Sequence, residues 1–129
     1  IEALSRGAGL AIFVEQDRQI ARTLTENLEI TGFVDRAEVF CLDVIKAIKV
    51  LSGMNAEFDI IFIGAPYNDH KVLEATLNGI ASTGLAARDS VVVAEHSKRY
   101  QVLASYGKLI KTREAVYADT ILTFYGVKQ

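Results

Sequence analysis

FDIIFIGAPYNDH, residues 58–70, is the stretch on which the reading of this chain turns. Phe58 to Ile63 is an apolar run broken only by Asp59, the pattern of a buried strand in a parallel sheet. A tight turn follows, carrying the chain's one proline, Pro66, and an aromatic ring, Tyr67. A helix starts on its far side, with His70 among its first residues. Val72, Leu73, Thr76, Leu77 and Ile80 then recur at helical spacing.

The same alternation holds upstream. Leu10 to Glu15 (LAIFVE) is an apolar run ending in an acid, a second candidate strand. Residues 18–31 place Ile20, Leu24 and Leu28 at helical spacing, with Asp17 as the N-cap. Ala37 to Leu42 reads as a strand, and Val44, Ala47, Ile48 and Leu51 follow as a helix. Downstream, Ser90 to Ser97 (SVVVAEHS) is a further strand. The alternation then stops: 108–116 and 120–127 are extended segments joined by Tyr117, Ala118 and Asp119, the pattern of an antiparallel hairpin. Strand-helix alternation predicts an α/β fold with a mostly parallel sheet and helices on both faces. The antiparallel ending points to the Rossmann-like methyltransferase fold, because dinucleotide-binding domains usually close with parallel strands.

The 129 residues, half of them hydrophobic, suffice for a single domain spanning 1–129. Ile1 to Gly9 (IEALSRGAG) reads as the last turns of an amphipathic helix stopped by Gly7, with no capping residue ahead of Ile1. The expectation is therefore a domain that begins inside an element. Net charge is −2 and the pI about 5.7, against a surface that grips nucleic acid everywhere, though a local basic patch is compatible. Cys41 is the single cysteine, so no internal disulfide forms. No apolar run has the length of a membrane span and no signal peptide is visible, so the expected location is cytoplasmic, with no membrane partner.

Ligands of doubly wound sheets sit at the carboxyl ends of the strands. Glu15 there can accept two hydroxyl hydrogen bonds from a ribose, or be a solvated strand-end acid. Asp43 can cap the helix that follows, lie beside an adenine amino group, or do both. In Gly64-Ala65-Pro66-Tyr67 the tyrosine ring can receive an unstacked base, worth about 1–3 kcal/mol, or pack as part of a βα turn. Glu95 and His96 end their strand, the histidine with a structural role; Lys98 and Arg99 after it can meet phosphate or be solvated. No Cys, His and carboxylate grouping has metal-ligand spacing, and no metal is expected.

Together, IEALSRGA, FVEQDR, TENLEITG, FDIIFIGAPY, VVVAEHSKR and YADTILTFY resemble the bacterial RsmD-type rRNA guanine-N2 methyltransferases of the small ribosomal subunit, in order and over nearly the whole chain. The resemblance implies a class I methyltransferase fold and the cofactor S-adenosylmethionine, with Glu15 on its ribose hydroxyls and Asp43 near its adenine. It implies rRNA or the small subunit as partner. The family's turn is Asp- or Asn-Pro-Pro-Tyr. Its side-chain oxygen and a backbone carbonyl accept hydrogens from the target amino group, and its tyrosine stacks on the base. Pro66 and Tyr67 match; Gly64 and Ala65 depart.

Gly64 has no side-chain acceptor, so one polarising hydrogen bond, worth about 1.5–3 kcal/mol, is absent. Lost only from the transition state, that is roughly tenfold to a few hundredfold in rate. The family's first strand and its glycine-rich loop precede the IEALSRGA segment and have no counterpart here. That strand is central, between the strands matching 10–15 and 58–63. Its absence predicts two long sheet edges that are exposed, or that pair with each other or with another chain, and weak cofactor binding by this chain alone. Two readings follow: a methyltransferase acting on guanine N2, or a catalytically inactive relative that binds RNA or protein.

Overall fold

A computed structural model describes residues 1–64 and 69–128, the side chain of Glu2 excepted. The chain divides into two compact units, Ile1–Ala47 and Ile48–Gln129.

The first unit opens with a single helical turn, α1 (Glu2–Ser5). Gly7 ends it at φ +103°, a conformation that favours glycine. Arg36 reaches back to this segment. Its Nη1 donates to the Ala8 carbonyl oxygen at 2.9 Å and its Nη2 to that of Leu4 at 3.1 Å. Strands β1 (Ala11–Val14) and β2 (Ala37–Phe40) pair in parallel, Ala11 opposite Ala37 through Val14 opposite Phe40. Helix α2 (Arg18–Thr31) connects them, as a parallel pair requires.

Asp17 caps α2: its carboxylate accepts from the backbone N–H of Gln19 at 2.8 Å and of Ile20 at 3.1 Å. The helix ends at Gly32, φ +78°. The packed stripe differs from the expected one. Ile20 is 55% exposed, while Ala21 and Leu28 are buried. The packed line runs through buried Ala21 and Leu28 with half-buried Leu24 and Thr25 between them, one residue around the helix from Ile20. Asp17→Ala removes two of the helix's first N–H partners. It is expected to destabilise the protein by about 1 kcal/mol, read as a shifted urea midpoint, and to leave ligand affinity unchanged.

Helix α3 is Val44–Gly53; of the expected stripe Val44, Ala47, Ile48 and Leu51 it buries the last three, while Val44 is half-buried. In the second unit β3 (Phe58–Ile63) pairs in parallel with β4 (Ala86–Ser97), and α4 (His70–Ala81) is the crossover between them. Leu73, Thr76, Leu77 and Ile80 are its buried face. Asp69 caps it, accepting from the Val72 N–H at 3.1 Å. Strand β4 begins four residues before the expected Ser90 because Phe58 pairs with Ala86 ahead of a register irregularity. The sheet turns antiparallel from β4 onward, in the order β3-β4-β7-β6-β5. Here β5 (Ser105–Tyr106) is a short strand the sequence did not announce; β6 (Leu109–Tyr117) and β7 (Thr120–Val127) form the expected hairpin. Tyr117 pairs with Thr120, so the connecting loop is Ala118 and Asp119, with Ala118 at φ +53°.

The reading of Phe58–Ile63 as a buried strand is corrected. Ile60 is 70% exposed and Phe62 59%. Among the described residues β3 ends its sheet, and the face carrying these two side chains continues onto exposed Val91, the partner of Ile60. Hydrophobicity reports what a strand can bury, whereas what packs over its face decides what it does bury. β1 likewise has one strand neighbour among the described residues.

Candidate functional site

In the first unit the parallel pair delivers acids to one end. The Glu15 N–H donates to the Phe40 carbonyl oxygen at 3.0 Å, extending the ladder one residue past β1. Its Oε1 accepts from the Asp17 N–H at 3.2 Å. Just past β2 the Cys41 Sγ lies 3.7 Å from the Gln16 carbonyl oxygen, so the two strand ends stay together. Asp43 follows. Its Oδ1 accepts from the Lys46 N–H at 3.0 Å and its carbonyl from the Ala47 N–H at 3.0 Å. The capping role foreseen for Asp43 is therefore present, and it engages one carboxylate oxygen.

Glu15 and Asp43 are thus both half-buried at the carboxyl end of one β-pair. Each directs one oxygen at a neighbouring backbone N–H, and each retains a second. Two carboxylates here suit a ligand that offers hydroxyl and amino donors and repel one that offers phosphate. The ribose and adenine of a nucleoside meet that requirement. Beside this end, Arg18, Arg22, Thr25, Val39 and Cys41 line a shallow open groove.

In the second unit Gly64 follows β3 and is exposed. Among the described residues a Cβ built there meets only the Phe62 ring, Cε1 at 3.3 Å. Ala65, Pro66 and Tyr67, the rest of the expected acceptor turn, lie outside the described residues. Near the end of β4, His96 is buried. Its Nδ1 lies 3.1 Å from the Ser97 carbonyl oxygen and its Nε2 2.7 Å from Thr123 Oγ1. A carbonyl can only accept, so Nδ1 carries a proton, and both ring nitrogens are satisfied. The structural role foreseen for His96 holds. Lys98 and Arg99 are exposed in the turn that follows; the Lys98 N–H donates to the Asp119 carbonyl oxygen at 2.8 Å.

Around the start of α4 lies a cluster the sequence did not reveal. The hydroxyls of Tyr100 and Tyr106 both donate to Glu74 Oε1, that of Tyr106 at 2.7 Å. Tyr106 Oη also accepts from the Leu103 N–H at 3.0 Å, and Tyr125 Oη donates to the Leu103 carbonyl oxygen at 2.8 Å. The Tyr100 ring stacks on His70, centroids 3.8 Å apart at 23°. The available signal was the spacing of His70 and Glu74, one helical turn apart on the same face. It carries meaning only once Tyr100 is known to face it.

The hydrogen bond to Glu74, then burial, then the carboxylate's charge push the Tyr100 phenol up to about 12. Burial raises Tyr106 and Tyr125 as well. A phenol that holds its proton more tightly in the fold than in the unfolded chain, where it titrates near 10, supports the fold fully below that pH. The support is lost as pH rises toward 12. Stability is expected to be level up to about pH 10 and to fall steeply above it. Phenolate absorbance should rise together with loss of circular dichroism, and Tyr100→Phe should flatten the fall. A slope unchanged by that substitution would remove Tyr100 from the account.

Among the described residues no group of three or more His, Cys, Asp or Glu is placed to hold a metal ion. No described helix is long and apolar enough to cross a membrane.

Comparison with known proteins places these features. The sequence profile of a family described as "Conserved hypothetical protein 95" matches residues 1–126. A Bacillus subtilis protein named "Putative rRNA methyltransferase YlbH" is 32% identical over 125 residues, covering 97% of this chain and 67% of that protein. A conserved hypothetical protein of Streptococcus pyogenes superposes with a TM-score of 0.87 at 26% identity, over 99% of this chain and 77% of its own. The Escherichia coli protein "Putative methyltransferase yhhF" superposes with a TM-score of 0.84 at 23% identity, over 98% of this chain and 68% of its own; that likeness speaks to fold alone.

Proposed function

The chain belongs to the conserved hypothetical protein 95 family, and from that membership we propose that it carries an S-adenosylmethionine-dependent rRNA methyltransferase activity. The fold is the Rossmann-like class I methyltransferase fold, a parallel α/β arrangement closed by antiparallel strands. The acceptor we assign is the exocyclic N2 of a guanine in small-subunit rRNA, and the setting cytoplasmic.

The observation that carries this reading is the pair of acids at the carboxyl end of β1 and β2. Glu15 would hold the ribose hydroxyls and Asp43 the adenine amino group, each with the oxygen its backbone contacts leave over. When bound, S-adenosylmethionine supplies an electrophilic methyl group on its sulfonium. What this chain must add is an oriented amine. In the Gly64-Ala65-Pro66-Tyr67 turn the carbonyl oxygens of Gly64 and Ala65 would accept the amine's hydrogens, turning its lone pair away from them. The Tyr67 ring would lie against the base.

Gly64 itself favours a second reading, a relative that keeps the fold and binds RNA or protein without catalysis. A glycine offers no side-chain acceptor at the position where the amine must be polarised. Two measurements on the full-length protein separate the two: calorimetry with S-adenosylmethionine, and methyl transfer to small-subunit rRNA or assembled subunits. Micromolar binding with transfer supports the enzyme. Absence of binding at millimolar ligand leaves the non-catalytic reading.

A further inference from the structure

The acceptor turn has two ends. One is Ile63, buried at the end of β3. The other is Asp69 and His70, the cap and first residue of α4. Gly64 offers no side-chain acceptor, and Asp69 and His70 are the described residues that follow the turn.

The far end is held at two points by one residue. Tyr100 stacks its ring on His70 and donates its hydroxyl to Glu74, one helical turn further along. The stack fixes the ring's plane and the hydrogen bond fixes its reach along α4. Glu74 is itself braced, because its Oε1 also accepts from Tyr106. Tyr106 is pinned in turn by the Leu103 N–H, and Leu103 by Tyr125 of β7. The first turn of α4 is thus tied through one carboxylate to the segment after β4 and to the sheet. Burial of aromatic rings alone needs no such register. A carboxylate shared by two phenols specifies one position of the helix along its axis, and any other position breaks two charge-assisted hydrogen bonds.

We propose that Tyr100 and Glu74 are positioning residues for the acceptor turn, acting through His70 and Asp69 on the residues that would orient the target amine. The proposal rests on the catalytic reading of the preceding subsection. Misplacement of a reacting group by about 1 Å costs on the order of a hundredfold in rate. Tyr100→Phe keeps the stack and removes the hydroxyl. Glu74→Gln keeps an acceptor and removes the charge.

Tyr100→Phe is expected to lower the single-turnover methyl-transfer rate at saturating cofactor and RNA by about tenfold or more. The dissociation constant for S-adenosylmethionine should stay within about twofold, and Glu74→Gln should fall between wild type and Tyr100→Phe. The control is Tyr125→Phe, which removes the phenol hydrogen bond of the network farthest from α4 and leaves both hydrogen bonds to Glu74 in place. It should lose comparable stability and keep its rate within about twofold. Equal rate losses in the two phenylalanine variants would make the network merely structural, and an unchanged rate in Tyr100→Phe would end the proposal.

Hydrogen exchange supplies a readout that does not depend on activity. The Val72 and Leu73 amides, bonded to the Asp69 carboxylate and carbonyl, should exchange about tenfold faster in Tyr100→Phe and not in Tyr125→Phe. A wild-type protein that transfers no methyl group removes the catalytic reading. Exchange then decides the clamp alone: faster exchange confined to Tyr100→Phe keeps it, and equal exchange discards it.

Discussion

Gly64→Asp is expected to raise methyl transfer to rRNA by roughly tenfold to a few hundredfold. The gain is that of one hydrogen bond from the target amine to a charged acceptor, about 1.5–3 kcal/mol, made as the amine develops positive charge. The structure accommodates the change. Among the described residues a Cβ at position 64 meets only the Phe62 ring, at 3.3 Å. That ring is 59% exposed and has room to turn away. Gly64 is also outside the left-handed region, so an L side chain takes its backbone conformation without strain. Gly64→Asn should recover part of the gain, since its amide oxygen accepts but carries no charge. The measurement is single-turnover transfer at saturating cofactor, and Gly64→Ala is the control for bulk alone. A rate for Gly64→Asp equal to that of Gly64→Ala would show that the turn does not polarise the amine from this position.

How much of this was legible beforehand depended on whether the signal was local. Asp17, Asp43 and the α4 stripe were readable because a cap or an amphipathic face is written in four to twelve neighbouring residues. The hairpin at Ala118–Asp119 was readable for the same reason. An open edge at β3 was expected from the resemblance, but the exposure of Ile60 and Phe62 was not, because it depends on what covers their face of the sheet, a fact about neighbours distant in sequence. The offset of the α2 stripe from Ile20 to Ala21 has a related cause. A small residue can face the sheet while a large one beside it faces out. The Glu74 cluster was out of reach altogether: its members Glu74, Tyr100, Tyr106 and Tyr125 lie far apart in the sequence, on a helix, a loop and strands. The strand-end acids were visible, then, and the cluster around Glu74 was not.

Those acids carry the second large expectation. Glu15→Ala should weaken S-adenosylmethionine binding about a hundredfold or more. A ribose diol donates two hydrogen bonds to one carboxylate, each worth about 1.5–3 kcal/mol when the acceptor is charged, and every 1.4 kcal/mol is tenfold in affinity. The cost to the fold should be small. In the protein itself the Glu15 carboxylate accepts one exposed backbone N–H, that of Asp17, and the strand pairing of residue 15 runs through its backbone N–H to Phe40. Affinity and stability therefore separate cleanly at this position. They separate in the opposite sense at Asp17, where the carboxylate is consumed by the Gln19 and Ile20 amides and truncation should cost stability without affinity. Asp43 lies between the two, because its Oδ1 caps α3 while its other oxygen remains for the ligand. Asp43→Ser keeps a cap and discards the charge, so it isolates the adenine contact from the helix. Calorimetry on the full-length protein, with urea unfolding of the same variants, measures both quantities. If Glu15→Ala binds within about threefold of wild type while Asp17→Ala does not, the acid that meets the ribose is the one assigned here to the helix.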